Sequence, residues 1–138
     1  KPAFEYLGFV EDINTIDDAI DIIQRSGRPD ATVVVDPFHC WRGGGSAASI
    51  AKLQADQIAI SHFNDAPADP PANTQQDSDR VLPGDGVVDL KFYCDQLTAI
   101  GYDRYLSLEL FREDLYAKDP LEVATLGLRK MRDVAEGP

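Results

Sequence analysis

Four short apolar segments alternate with amphipathic segments along the chain. The apolar segments span residues 1–8, 31–36, 57–63 and 104–111, and they are rich in β-branched, aromatic and aliphatic residues. Three consecutive valines in the second segment are typical of a strand that is buried on both faces of a parallel sheet. The pattern therefore predicts four parallel strands, the first of which ends near residues 5–7.

Each predicted strand is followed by a segment with helical periodicity. The helix N-caps are predicted at Asn14 or Thr15, Ser46, Asp89 and Asp119. Gly27 and Gly101 are expected to end the first and third helices. The buried stripe of the last helix is predicted to contain Leu121, Ala124, Leu128, Met131 and Ala135. This fourfold alternation of strand and helix predicts an α/β fold.

Two segments are predicted to be loops. Residues 39–45 end in three glycines, whose backbone N–H groups could cradle a phosphate or could let the backbone approach a ligand. The absence of a GxGxxG or GK[ST] pattern favours the second role. Residues 66–86 are irregular and rich in Pro, Asp, Asn and Gln. Structureless loops of about 20 residues in compact domains are usually functional or disordered.

Composition and charge narrow the classes of partner. The chain has 138 residues, which fits one domain, and a formal net charge of −11. That charge disfavours nucleic acid and anionic membrane surfaces, and no apolar run approaches the roughly 20 residues of a membrane span. Cys40 and Cys94 match neither a metal motif nor a disulfide framework, so we expect structural free thiols in a reducing cytoplasm.

Four polar side chains lie where the predicted strands end: Glu5, Asp36, His62 and Glu109. Parallel strands joined by helical crossovers bring their carboxyl ends to one side of the sheet, so these side chains are expected to converge. Three crowded carboxylates require a positive charge. One divalent ion, Mn²⁺, Mg²⁺, Co²⁺ or Zn²⁺, would supply it, and coordination positions left for water or substrate would make the site catalytic.

The ordered set of motifs resembles a known superfamily. The motifs are Phe4-Glu5, Asp36-x-x-His39, His62-x-x-Asp65, Asp79-Arg80 with Pro83-Gly84-x-Gly86, and Leu108-Glu109. Together they are similar to the xylose isomerase-like TIM barrels, and more closely to the sugar phosphate isomerase/epimerase group. The resemblance implies a (β/α)8 barrel. Residues 1–138 would form one partial domain, a half-barrel of four βα units that corresponds to strands five to eight.

The resemblance also implies roles for individual residues. Glu5, Asp36, His62 and Glu109 match metal ligands, and the two glutamates also match the pair that transfers protons. The residues expected to bind substrate oxygens are His39 and Arg80. Asp65 and Trp41 are candidates for residues that hold the site residues in place without contacting the metal or the substrate. The implied substrate is a small sugar, polyol or hydroxy-keto-acid.

The implied reaction is isomerisation or epimerisation. A bound ion would acidify the C–H next to a carbonyl and stabilise the enediolate, while two glutamates move the proton. The alternatives are an inosose-type dehydratase and a barrel fragment that acts only as a binding module. An isolated half-barrel has open strand edges, so we expect it to aggregate, to form a homo-oligomer or to be inactive.

Endonuclease IV, from the same superfamily, shares the motifs around His62 and Arg80. That enzyme carries a metal-binding histidine where this chain has Val81. With two histidines and a net charge of −11, this chain is poorly suited to a histidine-rich trinuclear site or to a phosphate backbone. We therefore do not expect a nuclease.

Overall fold

The four predicted strands form one parallel sheet in a computed structural model, which describes residues 1–137. The strands are β1 (Ala3–Glu5), β2 (Thr32–Val35), β3 (Ile58–His62) and β4 (Leu106–Ser107). They follow the order β1-β2-β3-β4, and each neighbouring pair is parallel. Sequential parallel strands with right-handed crossovers carry their helices on one face, so their carboxyl ends share one edge.

Five α-helices connect or follow the strands in the described residues. They are α1 (Ile16–Arg25), α2 (Pro37–Arg42), α3 (Leu90–Ala99), α4 (Glu113–Tyr116) and α5 (Pro120–Ala135). Short 3-10 helices span Ala47–Lys52, Ala55–Gln57, Ala72–Thr74 and Asp77–Asp79. Within residues 1–137, none of these helices has both the length and the hydropathy that a bilayer crossing requires.

Local capping chemistry sets the helix ends. At α1 the N-cap is Thr15, not Asn14, because its hydroxyl accepts from the Asp18 amide while the Asp18 carboxylate accepts from the Thr15 amide at 2.9 Å. The predicted caps at Ser46, Asp89 and Asp119 are confirmed by side-chain hydrogen bonds to backbone amides. The local sequence was therefore sufficient to locate these helix starts.

The loop predicted at residues 39–45 is partly helical. Asp36 caps α2 by accepting a hydrogen bond from the His39 amide at 3.0 Å, and Pro37 occupies the first turn. The glycines follow the helix, and a Cβ on Gly43 would lie 2.1 Å from the backbone oxygen of Asn14. At Gly43 the close approach that glycine permits is therefore to the protein's own backbone.

The fourth strand is shorter than predicted. Residues 104–111 were expected to be extended, but only Leu106–Ser107 pairs with β3. In the described residues β4 lies at the edge of the sheet, so its other side has no strand with which to form a hydrogen-bond ladder. Glu109 consequently follows the strand by two residues.

The predicted buried stripe of α5 is wrong. Leu121 and Leu128 are 74% and 57% exposed, Ala124 and Ala135 are also exposed, and only Met131 of the predicted set is partly buried. Gly127 is buried instead, and a Cβ there would lie 2.5 Å from a methyl group of Leu108. The residues on the inner face are Val123, Leu126, Gly127, Lys130, Met131 and Val134. The absence of a side chain at Gly127 lets the helix approach Leu108 on this face.

The core lies between the sheet and the helices. Its fully buried side chains include Tyr6, Val33, Ile50, Ile58 and Phe63. Residues of α1 and α3 pack on these side chains. The core therefore fixes the backbone immediately below the carboxyl ends of the strands.

Candidate metal centre

Four predicted side chains converge at the carboxyl edge of the sheet. Glu5 and His62 are the last residues of β1 and β3, Asp36 follows β2 directly, and Glu109 follows β4 by two residues. One potential ligand atom from each lies within 4.8 Å of all the others. We refer to these four residues as the carboxylate–histidine cluster.

His62 stands at the centre of this cluster. Its Nδ1 atom lies 3.1 Å from Glu5 Oε1, 3.2 Å from Asp36 Oδ2 and 3.3 Å from Glu109 Oε2. A single N–H cannot donate well to three oxygens. The three carboxylates are thus arranged around one positive charge rather than around one hydrogen bond.

The pKa values of the cluster reflect this arrangement. Burial alone would lower the pKa of His62, but hydrogen bonds to Asp36 and Glu5 outweigh it and raise the pKa to about 10. Burial alone would raise the pKa of Asp36, but the hydrogen bond from His62 and the charge of Arg80 hold it at about 2. The imidazolium therefore occupies the electrostatic role that a cation would take.

The donor set fits a divalent ion. Three carboxylates and an imidazole nitrogen suit Zn²⁺ and the harder Mn²⁺, Mg²⁺ and Co²⁺. Glu5 Oε1 is buried and lies 3.1 Å from His62 Nδ1, which leaves its other lone pair for a cation. His62 would have to lose its proton to become a ligand.

Two neighbours, Tyr6 and Asn64, hold Asp36, which is fully buried. The Tyr6 hydroxyl donates to the Asp36 backbone oxygen at 2.8 Å and accepts from its amide at 3.2 Å. Asn64 donates to Asp36 Oδ2 at 3.1 Å, and it accepts from the Phe38 amide at 3.1 Å. Residue-type reasoning gave no role to Tyr6 or Asn64, although each lies within two residues of a member of the cluster.

Arg80 brings a second positive charge to the cluster. It has no exposed surface, and its Nη1 atom donates to Glu109 Oε2 at 2.5 Å. Its Nη2 atom lies 2.9 Å from Asp77 Oδ1 and 3.4 Å from Asp36 Oδ2. Arg80 thus lies beside the cluster from the long loop, as its motif suggested.

His39 also contacts the Arg80 guanidinium. Its Nε2 atom is 2.9 Å from Arg80 Nη2, and its Nδ1 atom accepts from the Gly8 amide at 3.2 Å. Burial and the charge of Arg80 lower the pKa of His39, although the Asp36 carboxylate opposes them. The structure therefore brings a neutral imidazole and a guanidinium together next to the carboxylates.

Asp65 and Trp41 have different surroundings. The Asp65 carboxylate is buried and accepts hydrogen bonds from loop amides, and its backbone forms a bridge with Val81, the residue after Arg80. Trp41 lines a separate groove with Val87 and Phe92, away from the cluster. Asp65 is thus linked to the site through the loop, whereas Trp41 is not.

Asp77 was not identified from the sequence. It begins the 3-10 helix Asp77–Asp79, and its Oδ1 atom lies 2.9 Å from Arg80 Nη2 and 3.9 Å from His39 Nε2. The available signal was the run Asp77-Ser78-Asp79-Arg80, in which a carboxylate precedes the arginine by three residues.

Known proteins share this sequence and fold. The family described as Xylose isomerase-like TIM barrel matches residues 1–134. Inosose isomerase from Bacillus licheniformis is 36% identical over 117 residues, 84% of this chain and 42% of that protein. A 3-dehydroshikimate dehydratase from Pseudomonas aeruginosa is 29% identical over 129 residues, 93% of this chain and 20% of that protein. The crystal structure of IolI protein with a binding zinc atom has a TM-score of 0.89 and 30% identity, covering 97% of this chain and 48% of that one.

The chain spans less than half the length of each of these relatives. The family match nevertheless includes all four strands and every member of the cluster. The family has an α/β TIM-barrel fold, and the four consecutive parallel strands of this chain agree with that fold. The chain therefore belongs to the xylose isomerase-like TIM barrel family.

Proposed function

We propose that this chain carries the metal-binding and proton-transfer residues of an isomerase that acts on a small sugar, polyol or hydroxy-keto-acid. The observation that carries the proposal is the convergence of Glu5, Asp36, His62 and Glu109 within 4.8 Å. The inosose isomerase relative supports an isomerase, and the zinc in the IolI structure makes Zn²⁺ the first ion to test. Mn²⁺, Mg²⁺ and Co²⁺ also fit the donors.

Each residue has a proposed role in this reaction. The ion would polarise a carbonyl and its neighbouring hydroxyl, which makes the C–H between them more acidic. Glu5 and Glu109 are partly exposed, so they can reach a substrate while they hold the ion. One would remove the proton and the other would return it. Arg80 would donate to the substrate oxygens, and His39 would donate to them or accept from a substrate hydroxyl.

Asp65 is proposed to support the site through the loop. The role predicted for Trp41 stays a prediction, because the groove that Trp41 lines within the described residues includes none of the proposed ligands.

We further propose that residues 1–138 form one partial domain equivalent to strands five to eight of a barrel. The lengths of the relatives and the unpaired edge of β4 support this. Beside that edge lies an apolar groove of about 400 Å³. Its lining residues include Leu108, Leu110, Leu115, Tyr116, Val123 and Ala124. Further βα units would cover the groove, and a structure of a longer protein with this groove open to solvent would contradict the proposal.

Exchange of the substrate proton with solvent tests the proposed reaction. The protein loaded with Zn²⁺, Mn²⁺, Mg²⁺ or Co²⁺ would be incubated with an inosose in D₂O, and deuterium next to the carbonyl would be measured by NMR. We expect Glu109→Gln to reduce the exchange rate by at least about a hundredfold, because a proton-transferring residue typically contributes 10²–10⁴-fold. Glu113→Gln, at the start of α4 and away from the cluster, is the matched control. Near-normal exchange by Glu109→Gln would reject its role.

A dehydratase is the second candidate. The 3-dehydroshikimate dehydratase relative covers 93% of this chain and favours it. A dehydratase would form a product lighter by one water, whereas an isomerase would leave the mass unchanged. If the metal-loaded protein catalyses neither exchange nor loss of water from any hydroxyketone, a non-catalytic binding module becomes the better description.

A further inference from the structure

The Arg80 guanidinium competes with the proposed metal for the same carboxylates. It contacts Glu109 Oε2 at 2.5 Å and lies 3.4 Å from Asp36 Oδ2. Both oxygens belong to the carboxylate–histidine cluster. A divalent ion in the cluster would repel a guanidinium at this distance and would need the lone pairs that the guanidinium occupies.

The aromatic surroundings of Arg80 restrict where it can move. Its Cζ atom lies 5.0 Å from the centre of the Phe38 ring and 5.1 Å from the centre of the Phe111 ring. These contacts favour a guanidinium that stays between the rings. The side chain has no exposed surface, so it cannot turn to solvent without rearrangement of its surroundings.

Asp77 offers Arg80 a partner that is not a member of the cluster. Asp77 Oδ1 lies 2.9 Å from Arg80 Nη2, and the Asp77 backbone oxygen accepts from the Arg80 amide at 3.3 Å. The Oδ1 atom is buried and has no well-aligned hydrogen bond, so it can accept more strongly if the guanidinium shifts towards it. The Asp77 side chain is itself about one third exposed.

From this geometry we infer that Asp77 is a positioning residue that draws the Arg80 charge away from Glu109 and Asp36 and so allows a metal ion and Arg80 to share one pocket. The inference rests on the proposed metal site. Without the Asp77 carboxylate, Arg80 would pair fully with Glu109 and Asp36 and would oppose metal binding. Asp77 therefore acts on the ion through Arg80 and not as a ligand.

Zinc affinity, measured by competition with a chromophoric chelator and without any assay of turnover, tests this inference. We expect Asp77→Asn to weaken zinc binding by about tenfold, within the range of coupled charged residues. Arg80→Met is expected to bind zinc more tightly than the wild type. In the Arg80→Met background, Asp77→Asn is expected to have almost no further effect, whereas in the Arg80→Lys background, which keeps the charge, the effect should persist.

Asp79→Asn is the matched control, since it removes the same charge from the same 3-10 helix and Asp79 makes no ion pair with Arg80. It should leave zinc affinity close to that of the wild type. Equal losses in Asp77→Asn and Asp79→Asn would overturn the inference, as would a full Asp77→Asn effect in the Arg80→Met background. If the wild type binds no zinc or other divalent ion, the proposed function falls with it. If the wild type binds zinc and Asp77→Asn binds it equally well, only the inference falls. Thermal melting of each variant verifies that it is folded.

Discussion

The Asp65 carboxylate holds the loop that carries Arg80, and its removal gives a sharp prediction. Asp65 Oδ1 accepts from the amides of Ala66 at 2.8 Å and Val88 at 3.0 Å. Asp65 Oδ2 accepts from the amides of Gly84 at 3.0 Å and Gly86 at 3.1 Å. The residue is only 1% exposed, so water cannot readily replace these hydrogen bonds.

The expected magnitude follows from the number of donors. Asp65→Asn keeps the shape of the side chain but replaces one oxygen with an NH₂ group, which faces two backbone donors in either orientation. A hydrogen bond to a charged group contributes about 1.5–3 kcal/mol, and loss of two predicts a decrease of about 3–6 kcal/mol in the free energy of unfolding. The bridge between Asp65 and Val81, with both hydrogen bonds at 3.0 Å, should loosen with the loop.

Equilibrium unfolding in urea measures this decrease, and Asp85→Asn is the matched control. Asp85 lies in the same loop, but it is 42% exposed and pairs with Lys130 at the surface. Exposed ion pairs contribute about 0–1 kcal/mol, so the control should change little. Hydrogen exchange at the Gly84 and Gly86 amides should also accelerate in Asp65→Asn. If Asp65→Asn loses no more stability than Asp85→Asn, the carboxylate does not hold the loop.

Three further predictions concern the same region and the two thiols, of which Cys40 is buried and Cys94 is half-buried. Gly86→Ala should lower the melting temperature more than Gly44→Ala does. The new Cβ at position 86 would lie 2.3 Å from Asp65 Oδ1 and from the Ala66 oxygen, whereas at Gly44, with φ +72°, only backbone strain opposes the change. Equal melting temperatures of the two variants would contradict the close packing around Gly86. Burial raises the pKa of Cys40 to about 12 and of Cys94 to about 11, so iodoacetamide at about pH 8 should label the thiols only after unfolding. The unfolded thiols lose their protons at lower pH than the folded ones, so the free energy of unfolding should also fall as the pH rises above the ordinary thiol value of 9.0, and Cys40→Ala should reduce that dependence.

Features with a local physical cause could be predicted from the sequence. The N-caps at Ser46, Asp89 and Asp119 depend on a side chain and on amides two or three residues away. The convergence of the four strand ends followed from topology, because parallel strands with helical crossovers have their carboxyl ends on one edge. Features that depend on a distant neighbour could not be predicted. β4 pairs over only two residues, and α5 turns a different face inward, with Gly127 against Leu108.

By itself, the sequence determined the order of strands and helices and the four side chains at the carboxyl edge. Only the tertiary structure decided how those side chains are held and charged. The Tyr6 hydroxyl and the Asn64 amide act across separate elements, and the pattern around each residue contains no sign of its partner. Asp77 lies three residues before Arg80, but only the fold shows that its carboxylate contacts the guanidinium. The sequence places Arg80 in a loop, whereas the structure shows that its side chain is fully buried among carboxylates. The physical reason is that burial and charge pairing depend on which distant groups share a space, and that information arises only when the chain has folded.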